Sequence, residues 1–188
     1  LRAPTSCLAA AMPKDNPMTD VQTLRARARR DVESGAVTQG YKADRAKVVD
    51  LLNAALATEL VCALRYRFHY FAASGIHSES VKQEFLQHAT QELEHADMLA
   101  KRIIELGGSP NFSPVGMMDR SHSEYVEGKT ITDMLRADLV AERVAIESYT
   151  EMIAYVGGDD PTTRRVLEAI LAVEEEHAED LKSLMENG

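Results

Sequence analysis

The sequence predicts an all-α protein, a four-helix bundle with one long crossover between helices two and three. Three observations carry this expectation. Four long stretches lack internal Gly or Pro, each repeats apolar residues in steps of three and four, and the connections between them run short, long, short. A chain of 188 residues is long enough for one domain with a substantial core, and 45% apolar with 27% charged residues excludes wholesale disorder or a collagen-like fibre. Trp is absent and only 5% of residues are aromatic, so the core is expected to be Leu, Ala, Val, Ile and Met, which suit packed helices.

Residues 1–40 read as an N-terminal extension, partly helical, with a weak helical stretch from Met18 to Ser34; residues 41–188 read as the bundle. The first bundle helix lies within Tyr41 to Ser74, with the seam Leu52, Leu56, Glu59, Ala63, Tyr66, Tyr70. The second, Ser78 to Leu106, carries Phe85, His88, Glu92, His95, Leu99, Ile103, Leu106, and Gly107-Gly108 form its stop. Thr130 and Asp133 make a capping-box start for the third helix, whose seam is Leu135, Leu139, Glu142, Ile146, Tyr149, Ile153, Val156. Gly157-Gly158 end it. Asp160-Pro161 then open the fourth, with Leu167, Ile170, Glu174, His177, Leu181, Leu184. Two to five residues join the outer pairs, which makes each an antiparallel hairpin, whereas roughly Gly107 to Lys129 is long enough to run the length of the bundle.

The charge balance, 30 Asp and Glu against 21 Lys and Arg, gives −9, which disfavours non-specific contact with nucleic-acid phosphates and makes metal cations the more natural partner. Only Cys7 and Cys62 are present, so neither a disulfide framework nor a cysteine zinc cluster is expected, and the cytoplasm is the expected compartment. The apolar stretch Leu8 to Met12 is shorter than a secretory core and no span is long enough to cross a bilayer, so neither export nor membrane insertion is expected. Leu1 to Pro17 read as an alternative-start or added segment, with Met18 a candidate native start.

Each seam carries a Glu near its middle. Ionised carboxylates removed from water cost several kcal/mol each, and four together also repel, so a positive partner is required. Lys and Arg are scarce on the seams, and His95 and His177 sit three residues after Glu92 and Glu174, on the same helical face. The heights agree as well. The midpoint of Glu59 and Glu92 falls beside Gly75 and that of Glu142 and Glu174 at Gly158, so each hairpin places its pair level. Glu59 followed by Glu92-x-x-His95 is mirrored by Glu142 followed by Glu174-x-x-His177, and Tyr66 and Tyr149 each lie seven residues after the first Glu. Two such halves supply four carboxylates and two imidazoles to two cations about 3.5 to 4 Å apart. Glu59 with His95 is expected to hold one, Glu142 with His177 the other, and Glu92 with Glu174 to bridge, with Tyr66 and Tyr149 as hydrogen-bond donors to the carboxylates. Mixed O and N ligation with open positions suits iron, or manganese, better than closed zinc.

These residues resemble a known family. The order Glu, Glu-x-x-His, Glu, Glu-x-x-His on a bundle with one long crossover is similar to the di-iron ferritin-like superfamily, and Glu92-Leu93-Glu94-His95-Ala96-Asp97 with Ile103-Ile104-Glu105-Leu106-Gly107-Gly108 resembles the second helix of bacterioferritin. The resemblance spans roughly residues 44 to 186. It implies a ferroxidase and iron-storage protein with two iron ions per subunit, oxidising Fe2+ to Fe3+ with dioxygen or hydrogen peroxide and depositing ferric mineral in a homo-oligomeric cage. The six site residues it implies, for metal and catalysis alike, are Glu59, Glu92, His95, Glu142, Glu174 and His177. Two departures refine the expectation. Leu93 stands where bacterioferritins carry the haem-ligating Met, which argues against haem, and only 11 residues follow His177, too few for the fifth helix of a 24-subunit cage. A Dps-like cage of 12 subunits is therefore favoured.

The alternatives are a Dps-like DNA-protecting protein, a di-iron oxygenase and a manganese catalase. Charged outer faces disfavour an apolar-substrate hydroxylase, and the lack of a Cys-x-x-Cys pair disfavours rubrerythrin. Arg25, Arg27, Arg29 and Arg30 form either a DNA-contacting arm or a helix lying on a neighbouring subunit. His88 reads as a core or access-route histidine rather than a seventh ligand. Glu94, Asp97, Glu175, Glu176, Glu179 and Asp180 read as solvated outer faces, with an iron-guiding acidic channel as the alternative. Cys62 reads as a small buried apolar residue. No role is expected for His69, His77 or His122.

Overall fold

The computed structural model describes residues 17–75 and 78–187. The expectations for residues 1–16, including Cys7, and for His77 lie outside the described residues. The chain divides into two units between Gly40 and Tyr41. In the first, α1 (Val21–Arg30) is capped by Asp20, whose carboxylate accepts the Thr23 amide at 2.9 Å, and a 3-10 turn follows at Val32–Ser34. The leading helix is shorter than its Met18 to Ser34 expectation, because Asp20 caps it late and Asp31 leaves the helical conformation.

The second unit holds α2 (Arg45–Ala72), α3 (Ser78–Glu105), α4 (Met117–Arg120), α5 (Ile131–Val156) and α6 (Pro161–Asn187). Among the described residues there is no strand. The fold is the four-helix bundle with a long crossover: α2 pairs with α3, α5 with α6, and the two hairpins meet through α2 against α5 and α3 against α6. The first bundle helix lies within the Tyr41 to Ser74 stretch and starts at Arg45, since Asp44 accepts the Lys47 amide as its N-cap. The short α4, inside the crossover, has no counterpart in the sequence expectation.

The caps follow the sequence signals. Thr130 and Asp133 form a reciprocal capping box. After α3 the chain turns through Gly107 at φ 73°, where its amide bonds Ile104 and the Gly108 amide bonds Ile103. A Cβ on Gly108 would stand 2.7 Å from Val49 Cγ1, so glycine there also lets the turn approach α2. The core draws on the expected seams, with Leu52, Leu56, Phe85, Leu99, Ile103, Leu167, Ile170 and Leu181 buried, whereas the seam residues Tyr70, Leu139, Ile146, Ile153 and Leu184 are half-buried.

The α5–α6 corner is held by one carboxylate. Asp160, 2% exposed, accepts Arg102 Nη2 at 2.9 and 3.0 Å, the Thr163 amide at 2.9 Å and the Tyr41 hydroxyl at 2.9 Å. Breaking a buried pair of this kind costs about 3–5 kcal/mol. Asp160→Ala is therefore expected to lower the melting temperature by on the order of 10 °C. A melt within a degree or two of the parent would show the cluster to be incidental.

Candidate metal centre

Glu59 comes from α2, Glu92 and His95 from α3, Glu142 from α5, and Glu174 and His177 from α6. Each sits on the seam that its helix turns inward, and none of the six exposes more than 4% of its surface. Two groups of donor atoms result, each gathered within 4.8 Å: Glu59, Glu92, His95 and Glu174 in one, Glu92, Glu142, Glu174 and His177 in the other. Glu92 and Glu174 belong to both.

His95 Nδ1 stands 2.8 Å from Glu174 Oε1, 3.3 Å from Glu59 Oε2 and 3.8 Å from Glu92 Oε2. His177 Nδ1 faces Glu92 and Glu174 at 3.7 Å and Glu142 at 3.9 Å. The opposite edge of His177, Nε2, lies 3.1 Å from the Gln91 side-chain oxygen, which accepts a hydrogen bond from the Nε2–H and leaves Nδ1 turned toward the carboxylates. The tyrosines cross between halves. Tyr66 of α2 donates to Glu142 of α5, and Tyr149 of α5 donates to Glu59 of α2. Each hydroxyl fixes the carboxylate that comes from the opposite hairpin.

The electrostatics are those of a confined anionic cluster. Burial, then Glu92, pushes the Glu59 carboxyl well above its usual range, and burial, then Glu59 and Glu142, raises Glu174 to about 8. Burial opposes charge on His95, but the neighbouring carboxylates of Glu174, Glu59 and Glu92 outweigh it and hold the ring at about 12; His177 is raised likewise by Glu142, Glu174 and Glu92. Even so, Glu92 Oε1, Glu142 Oε2, both Glu174 oxygens and His177 Nδ1 make no hydrogen bond. A buried polar atom left this way costs about 1–3 kcal/mol, more when charged. Orphaned oxygens and an orphaned imidazole nitrogen pointed at one another are donor atoms that fit cations, and their mixture of O and N suits iron or manganese.

Several residues play parts that the sequence reading did not give them. His69 is fully buried, with Nδ1 2.7 Å from Asp138 Oδ2 and Nε2 3.0 Å from the Val126 carbonyl. Arg65, also fully buried, donates to Asp138 at 2.7 Å and to the Glu124 carbonyl at 2.8 Å. Arg65 is not itself a seam residue, but it lies one position before Tyr66 and brings a buried cation next to the first seam. Asp180 is not wholly on an outer face: it lies 3.8 Å from buried His88. His88 stacks on His177, ring centroids 3.9 Å apart, and burial followed by His177 pushes it down to about 3. Cys62 is buried, as expected of a small apolar residue.

A long-crossover bundle with carboxylates and imidazoles gathered at its middle defines a class of helical proteins with ligand-bearing cores. Comparison with known proteins makes the assignment particular. The sequence model of the family described as "Ferritin-like domain" matches residues 49–188. The chain belongs to this ferritin-like family. It is 32% identical over 134 residues to the "DNA protection during starvation protein" of Pyrococcus furiosus, covering 70% of this chain and 72% of that one. Among solved structures it resembles a dodecameric thioferritin, the bacterioferritin-related protein of Bacteroides fragilis, with a TM-score of 0.75, 33% identity and coverage of 78% and 88%. It also resembles the Desulfovibrio desulfuricans bacterioferritin, described with a diiron site, at a TM-score of 0.67, 25% identity and coverage of 76% and 80%. Among the described residues no helix is long and apolar enough to cross a membrane.

Proposed function

We propose that this protein is a ferroxidase that stores iron. The observation that carries the reading is the pair of donor groups sharing Glu92 and Glu174, with five of their buried atoms making no hydrogen bond. Glu59 and His95 would hold one Fe2+, Glu142 and His177 the other, with Glu92 and Glu174 between them. Two Fe2+ give one electron each to the oxidant: with two protons, dioxygen becomes hydrogen peroxide, or hydrogen peroxide becomes two waters. The carboxylates favour Fe3+ over Fe2+ because their charge stabilises the more highly charged ion. Tyr66 and Tyr149 orient Glu142 and Glu59, and Gln91 orients His177. Haem has no part in this reading, since Leu93 offers no sulfur. Manganese is the alternative metal for the same donors.

Storage requires an enclosed interior, and we assign a cage of twelve chains, in line with the dodecameric relative. A reducing cytoplasm, where Fe2+ is available, suits the cysteine count. Metal-free protein given Fe2+ in air should develop a ferric absorbance that grows far past two irons per chain; a plateau at two would defeat the storage claim. Tyr149→Phe removes the donor to Glu59 and should slow oxidation by roughly 10-fold. Glu59→Gln should slow it further.

A second reading, DNA binding, is favoured by one observation: Arg25, Arg27, Arg29 and Arg30 of α1 are all exposed. Under it, a salt-dependent gel shift appears with the full chain and disappears on deleting residues 18–35. No shift at low salt would remove this reading.

A further inference from the structure

Beside the dinuclear donors lies a group the ferroxidase reading does not use. Glu84 and His88 of α3 and Asp180 of α6 each offer a ligand atom, and the three atoms lie within 4.8 Å of one another. His88 is completely buried, while the side chains of Glu84 and Asp180 are 28% and 44% exposed. The cluster therefore reaches from solvent inward to His88, and His88 stacks directly on His177.

The hydrogen-bond assignment of His88 is what points to a ligand. Its Nδ1 lies 3.2 Å from the Tyr66 hydroxyl. That hydroxyl has a single proton, already donated to Glu142, so it accepts from His88, and the His88 proton belongs on Nδ1. Nε2 then carries a lone pair. It stands 3.2 Å from Glu84 Oε1 and 3.8 Å from Asp180 Oδ2, yet it makes no hydrogen bond. With Glu84 and Asp180 both ionised, the buried lone pair faces acceptors alone. Among the described residues no Lys or Arg forms an ion pair with Glu84 or Asp180 to relieve it. One imidazole nitrogen and two carboxylate oxygens, with the outer side open to water, match the ligand chemistry of a borderline divalent cation.

We propose that Glu84, His88 and Asp180 form a third divalent-cation site on the solvent side of His177, separate from the dinuclear pair. It holds the metal against the outer ring of the His88–His177 stack, where the next ion for the centre would wait. This inference rests on the ferroxidase reading only for the identity of the metal; the geometry of the three ligands stands without it.

The test counts Co2+ bound per chain by equilibrium dialysis of the metal-free full-length protein, with no oxidant and no turnover involved. The parent should bind three ions. His88→Ala should bind two, and Glu84→Gln combined with Asp180→Asn, which leaves the core untouched, should also bind two. Glu59→Gln combined with Glu142→Gln should retain the third ion while losing at least one of the pair. If the parent and both outer variants bind two ions alike, the third site does not exist and the dinuclear reading survives. If the parent binds one ion that disappears in the outer variants and persists in the Glu59→Gln, Glu142→Gln variant, the dinuclear reading fails and the third site stands. Binding of no ion overturns both.

Discussion

Zn2+ or Co2+ is expected to raise the melting temperature of the metal-free protein by on the order of 10 °C, and Glu174→Gln to abolish most of that gain. Metal at about 1,000 times its dissociation constant stabilises a native site by about 4 kcal/mol, and a chain of this size gains about 2–4 °C per kcal/mol. Glu174 belongs to both donor groups, so its loss affects both ions. Its carboxyl is already raised to about 8 by burial and by Glu59 and Glu142, so the neutral amide replaces a group that is largely protonated at neutral pH without metal. The variant should therefore melt in chelator at the parent temperature or above it. The two halves of the result separate a ligand from a structural residue. A residue kept for packing or hydrogen bonding would destabilise the metal-free protein when changed; a metal ligand would not. The check is a pair of thermal melts, in chelator and in excess metal, on parent and variant.

Arg65→Met is expected to destabilise the metal-free protein by about 3–5 kcal/mol, because it leaves Asp138 buried beside only His69. The same change releases the crossover. Arg65 holds the Glu124 carbonyl and His69 the Val126 carbonyl, so the segment from His122 to Gly128 should become sensitive to limited proteolysis. Adding Asp138→Asn removes the stranded charge while keeping an acceptor for His69. The double variant should then recover part of the loss, with a coupling of about 0.5–3 kcal/mol. Additive losses and unchanged proteolysis would show that the network does not anchor the crossover. Because neither residue is among the metal donors, the melting increment with metal should persist in the double variant.

The contrast between these two experiments follows what was legible in the sequence. Glu59, Glu92, Glu142 and Glu174 interrupt apolar seams at matched heights, and a seam position on a long amphipathic helix is buried almost by definition, so their convergence could be read before any coordinates. Arg65 and Asp138 sit beside their seams, where charged residues ordinarily face water. They are buried because the crossover passes over them, with its carbonyls turned toward Arg65 and His69, and the path of an irregular connection leaves no periodic trace. Gln91 carries no sequence signal for a similar reason: it adjoins Glu92 but off the seam, and only the position of His177 on the facing helix gives it a partner. His88 was legible as a buried histidine, whereas its alignment with Asp180 depends on the relative height of α3 and α6, which no short turn fixes. Within the breaker-free stretch, the start of α2 at Arg45 is set by one capping bond from Asp44.

The central claim is that the buried carboxylates and imidazoles exist to hold two cations between the four helices. It is tested most directly by the anomalous scattering of crystals grown with the metal. The account predicts two strong peaks about 3.5 to 4 Å apart, lying between Glu92 and Glu174, one beside His95 and the other beside His177. Crystals saturated with metal that show a single peak on the outer surface, or none among these six side chains, would contradict it.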